Sequence, residues 1–135
     1  MSNLPIFNVA GSAMQAQSVR LSTIASNLAN ADSVSGDPNA VFKAKQPVFA
    51  AEPTAGNPAL SAVRVSSVNE STAAPLKRYE PSHPLADGDG YVYAPDIDPV
   101  AQMVDLISAS RSYQANVEVF NTAKELAMST LNMGK

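Results

Sequence analysis

The chain has 135 residues, no cysteine, a net charge of −3, and 45% hydrophobic residues of which many are alanine and few aromatic. That length suits one domain or two small ones, and the thin supply of heavy side chains argues against a large self-sufficient core. Without cysteine there is no disulfide framework, thiolate nucleophile or cysteine metal site, and the acidic balance argues against a nucleic-acid partner.

Met1 to Ala10 lacks the basic and apolar regions of a cleavable signal peptide, so export would need a route that reads none. No run approaches the ~18 apolar residues of a membrane helix, so a membrane-inserted protein is not expected.

Leu4 to Ala31 is the first periodic stretch. Phe7, Met14, Leu21 and Leu28 stand seven apart, with Ala10 and Ile24 between them and Gln17 breaking the row. This is a heptad seam and predicts a helix. Ser, Asn and Gln fill the other positions, and Arg20 is the sole charge before Asp32. A water-facing helix normally carries Lys and Glu, so this one reads as packed on several sides.

Asp32 to Asn39 is rich in turn formers. From Ala40 to Ala62, Pro47, Pro53 and Pro58 punctuate the chain, which reads as extended or irregular with short strands. Ala62 to Ser71 alternates as a strand does, Lys77 to Glu80 is a second candidate, and Tyr91-Val92-Tyr93 is a third. Turns at Pro81–Pro84 and Ala86–Gly90 separate them.

Asp98 is a good N-cap, Pro99 suits a first helical turn, and no Pro or Gly follows until Gly134. Met103, Leu106, Tyr113, Val117, Phe120, Ala127 and Leu131 recur at steps built from threes and fours, with Ser110 and Lys124 as interruptions. A second long helix is predicted, roughly 50 Å at 1.5 Å per residue. It is too long for one small globule to cover.

The expected fold is mainly α with a small β insert. Long N- and C-terminal helices pair as a coiled-coil-like core. The divisions are an N-terminal helix over 1–31, a Pro-rich connector over 32–60, a small β segment over 61–97 and a C-terminal helix over 98–135.

Nothing in this pattern supports an enzyme. Asp87-Gly88-Asp89-Gly90 resembles the start of a calcium loop, but Tyr91, Val92 and Tyr93 follow where further ligands are needed, so a turn is the better reading. His83 is the only histidine, too few for a usual zinc site. It reads as a turn residue. No catalytic, metal or cofactor-binding residue is expected.

Four stretches together resemble the bacterial flagellar rod and hook axial proteins. Ile24 to Ala31 contains the Asn-Leu-Ala-Asn signature of that family. Phe42-Lys43-Ala44-Lys45-Gln46-Pro47-Val48-Phe49, Tyr79 to Ala86 leading to Gly90-Tyr91-Val92, and Met103 to Val117 followed by Phe120-Asn121 are similar to segments of its proximal rod branch. The chain departs where many relatives carry a Thr-Pro-Gly-aromatic turn, having Asp32 to Asp37 instead.

The resemblance implies a structural subunit of the proximal rod, in the periplasmic part of the basal body, transmitting torque from motor to hook. It implies export through the flagellar type III apparatus. Its partners would be other rod proteins and copies of itself. The expected subunit-interface residues are Phe7, Met14, Leu21, Ile24, Asn27, Leu28 and Asn30 on the first helix. On the second they are Leu106, Tyr113, Gln114, Asn116, Val117, Phe120, Asn121 and Leu131. The alternative is a cytosolic helical adaptor or export chaperone that holds a client helix on the same seams.

Overall fold

The computed structural model describes residues 5–54 and 57–134. The elements are α1 (Pro5–Ala29), β1 (Lys45–Thr54), β2 (Asn57–Glu70), β3 (Leu76–Tyr79), β4 (Tyr91–Ala94) and α2 (Pro99–Met133). The two long terminal helices with a small antiparallel β region between them match the expected fold class.

Helix ends follow local chemistry. Asp98 is extended (φ −88°, ψ 109°), and its Oδ1 accepts from the Val100 amide at 2.9 Å with Pro99 next to it. This satisfies one of the donors that a helix start leaves unpaired. At the end of α1, the Asn30 amide group donates to the Ser26 carbonyl at 2.8 Å and the Ser33 hydroxyl to the Asn30 carbonyl at 2.7 Å. Late-helix carbonyls thus find partners as the chain turns away.

α1 and α2 run antiparallel. The rings of Phe7 and Phe120 meet edge-on with centroids 5.0 Å apart, and at the other end Arg20 reaches Asp105 at 3.4 Å. The buried line of α2 differs in phase from its apolar row. Ala109 is fully buried, and Leu106, Asn116, Val117, Phe120, Ala123 and Ala127 are half-buried, whereas Met103 and Leu131 are exposed. Small side chains at the contact allow the helices to approach closely. They contribute little to a hydrophobic pattern, which is why larger neighbours mark the sequence row.

The Pro-rich stretch forms a longer strand than expected. β1 pairs with β2 as one antiparallel ribbon that crosses the division at residue 60. The Ala44 carbonyl accepts from the Ser71 amide at 2.7 Å, so even-numbered β1 residues face β2. Pro47 and Pro53 alternate with them and turn their ring nitrogens to the outer edge, where no ladder donor is lost. Ser66 is the extra residue where the register shifts between Val48 and Phe49.

The ribbon lies along α1. The Ser12 hydroxyl accepts from the Val63 amide at 3.0 Å, and Asn27 bonds both backbone groups of Lys45 at 2.8 Å each. Ser12 to Asn27 spans fifteen helical residues, about 22 Å. Lys45 to Ala51, the partner of Val63, spans six strand residues, about 20 Å. The two rises match, so one straight ribbon meets both anchors. α1 therefore touches α2, β1 and β2, as its lack of charged residues suggested.

β3 and β4 form a second two-stranded sheet, and β4 also exchanges backbone bonds with Ser35 through Tyr93. Val41, Val92, Ala94 and Pro95 bury a small satellite core here. Gly36 belongs to it because a Cβ would stand 2.5 Å from the Leu85 carbonyl oxygen.

Candidate subunit-interface surfaces

The residues expected at interfaces fall into three groups. Ile24 and Asn27 are buried within the chain, with 5% and 3% of their surface exposed. Phe7, Met14, Leu21, Leu28, Leu106, Val117 and Phe120 are half-buried, as are Asn30 and Asn116. Tyr113, Gln114, Asn121 and Leu131 are exposed.

The amides separate further by their bonds. Asn27 joins three elements: its Nδ2 donates to the Lys45 carbonyl at 2.8 Å and to Gln102 Oε1 at 3.1 Å, and its Oδ1 accepts from the Lys45 amide. The side chain imitates a neighbouring strand at the root of the ribbon. Asn30 and Asn116 instead donate to carbonyls one turn back on their own helix, Ser26 and Ser112, at 2.8 Å. Of the five amides singled out in the sequence, Asn27 bridges elements, and Gln114 and Asn121 face outward.

Beside Asn27 a polar cleft of about 760 Å³ opens between the helix pair and the ribbon root. Arg20, Ile24, Lys45, Phe49, Glu70 and Asp105 are among its walls. Arg20 and Asp105 keep 29% and 51% of their side-chain surface exposed, so their pairing is screened by water and contributes little.

The outer face of α2 was missed as a separate surface. Val100, Met103, Val104 and Ile107 are exposed by 50% to 69%, on successive turns away from α1. Nearer the C-terminus Leu126, Met128, Leu131 and Met133 are exposed by 55% to 80%. Ile6, Val119 and Leu126 border a groove of about 460 Å³ floored by Ala115 and Ala123. The signal was present in the sequence: α2 is apolar at more positions than one seam can use.

The turn residues have local roles. Asp87 Oδ1 accepts from the amides of Asp89 and Tyr91 at 3.0 and 2.8 Å, and Oδ2 accepts from the Tyr93 hydroxyl at 3.2 Å. The Tyr91 amide above all holds the Asp87 carboxyl below the usual carboxylate range. Loss of water contact, then the bond to Asp87, pushes the Tyr93 phenol up. Gly90 closes this turn with φ 81°, which favours glycine. His83 Nδ1 accepts from the Leu85 amide at 3.1 Å. Among the described residues no group of three or more His, Asp or Glu side chains is placed to hold a metal, and no helix is long and apolar enough to cross a membrane.

Comparison with known proteins agrees with this layout. Residues 7–36 match the family described as "Flagella basal body rod protein", and residues 89–133 match "Flagellar basal body rod FlgEFG protein C-terminal". The two matches fall on α1 with its following turn and on β4 with α2. Over their full lengths, the chain is 52% identical to flagellar basal-body rod protein FlgC of Salmonella typhimurium and of Escherichia coli O157:H7. It is 40% identical to that of Aquifex aeolicus over 98% of this chain and 99% of the relative. With a pair of long packed helices and identity along the whole length, the chain belongs to the FlgC family of flagellar basal-body rod proteins, as a structural subunit of the rod.

Proposed function

We propose that this subunit joins the proximal rod through the faces of α2 that its own fold leaves uncovered, and that torque passes from motor to hook through these contacts. The observation that carries the reading is the exposed apolar row Val100, Met103, Val104 and Ile107, together with a separate exposed apolar set near the C-terminus, Leu126, Met128, Leu131 and Met133. Contiguous exposed apolar surface marks interaction sites. Other rod proteins and further copies of this chain are the partners. Tyr113, Gln114, Asn121 and Leu131 meet neighbours directly. Phe7, Met14, Leu21, Ile24, Asn27, Leu28, Leu106, Val117 and Phe120 act one step earlier, by shaping the helix pair presented to them. Asn30 and Asn116 hold their helix backbones in shape. Delivery is by the flagellar type III export apparatus to the periplasm.

The test is Ile107→Asp, which places a charge on the outer face and leaves the contact with α1 untouched. The expected result is export of normal amounts of the subunit, its absence from purified basal bodies, and loss of swimming. Normal swimming would refute the reading. Retention of the parent chain in the cytosol, bound to one client, would support the adaptor alternative instead.

A further inference from the structure

The apolar rows alone do not determine how α1 and α2 are aligned. Phe7, Met14, Leu21 and Leu28 repeat every seven residues, and α2 has 35 residues against the 25 of α1. Sliding α2 by one heptad, about 10 Å at 1.5 Å per residue, keeps all of α1 opposite α2. It brings Phe7 level with Ala127, Met14 with Phe120, Leu21 with Tyr113 and Leu28 with Leu106. Each is an apolar position facing another.

The polar residues are not interchangeable in this way. The Phe7–Phe120 contact sets the observed alignment. Gln17 lies ten residues beyond Phe7, and Ser110 lies ten before Phe120, so the two are level. These are the residues that interrupt the two apolar rows. Gln17 Oε1 is buried without a hydrogen-bond partner and Ser110 is half-buried, so this level does not discriminate between alignments. Toward the ribbon root, Arg20 meets Asp105 at 3.4 Å and Asn27 meets Gln102 at 3.1 Å. In the displaced alignment Gln17 would face Val117, Ser110 would face Ile24, and Asn27 would face Ile107. Asn27 against an apolar side chain loses Gln102 and keeps its desolvation penalty. A polar residue in an apolar seam is a known means of fixing register at a cost in stability.

We propose that the Asn27–Gln102 bond, with the screened Arg20–Asp105 pair beside it, is a polar key that selects this alignment over one displaced by seven residues. The key sets the height at which the outer apolar face of α2 is offered to a neighbour. It is independent of which neighbour binds there.

Cysteines can be introduced freely, because the chain has none. Spin labels on Ser22→Cys and Lys124→Cys report the alignment, since both positions are exposed. The labelled parent is expected to give one distance. Adding Arg20→Leu and Asn27→Leu should produce a second population with a distance shorter by about 10 Å, the rise of one heptad. A single unchanged distance in that variant, with helix content preserved by circular dichroism, overturns the proposal. So does a parent that already shows both distances. If that variant does not fold, Gln102→Leu decides, since it leaves the bonds of Asn27 to Lys45 in place. There the displaced population should reach roughly 1–10%, within the usual range for a minor conformer. No displaced population in this single variant also overturns the proposal.

Discussion

Along α1 the buried residues are Ala10, Ala16, Thr23, Ile24 and Asn27, whereas the longer α2 buries only Ala109. α1 lies between α2 and the β1–β2 ribbon and spends its small polar side chains on anchors to them. α2 has α1 on one face and leaves large apolar residues open on the others. Both are amphipathic by pattern, yet one is covered by the subunit's own fold and the other leaves a face open, the face proposed above for assembly. The contrast shows that an apolar seam says a helix needs a partner, and that the remaining face says whether the partner is in the same chain.

The sharpest test of this division is a charge on the open face of α2. Ile107→Asp on α2 should abolish assembly and swimming with little change in the unfolding midpoint of the isolated subunit. Equal loss of folding stability would erase the distinction. Next in size is Asn27→Ala on α1. It leaves the Lys45 amide and carbonyl and the Gln102 carboxamide without their partner, and should cost about 2–4 kcal/mol by urea denaturation, given 1–3 kcal/mol for each buried group left unsatisfied. Ser12→Ala removes the second ribbon anchor and should cost about 1 kcal/mol, the net value of one ordinary hydrogen bond. Amide exchange should rise at Val63 and not at Lys45.

The smallest effect concerns acid. The Asp87 carboxyl is held below its ordinary value in the fold, so its contribution is fully present above the unfolded pKa of about 3.9. It is lost as pH falls through the lower folded value. Asp87→Asn should therefore narrow its stability gap from the parent on going from pH 6 to pH 2, and its exchange changes should be confined to β3 and β4. A gap that widens on acidification would contradict the linkage.

Features set by neighbours in sequence were legible without coordinates. Asp98 with Pro99 marked the start of α2, and the seven-residue spacing from Phe7 to Leu28 marked α1. The ribbon was not, because Pro47 and Pro53 argue against a strand unless one knows that only one edge of it is paired. The phase of the α2 contact was also hidden, since Ala109 and Ala123 weigh little in any hydrophobic pattern. The bridging role of Asn27 needs the root of β1 beside it, a contact 18 residues away that no local rule supplies. Gln17 and Ser110 looked like separate flaws in two helices. They became one layer only when the antiparallel alignment set them level.

The outer edge of β1 bears on how such a subunit stays in order among its copies. Subunits stacked in a wall sit beside identical chains at high local concentration, where an open strand edge invites sheet growth from one copy to the next. Here that edge offers few donors. Lys45 is occupied by Asn27, and Pro47 and Pro53 have no N–H to give, which leaves Phe49 and Ala51 between them. A foreign strand would find no continuous ladder. Sheet growth from one copy to the next is thus hindered at the β1 edge.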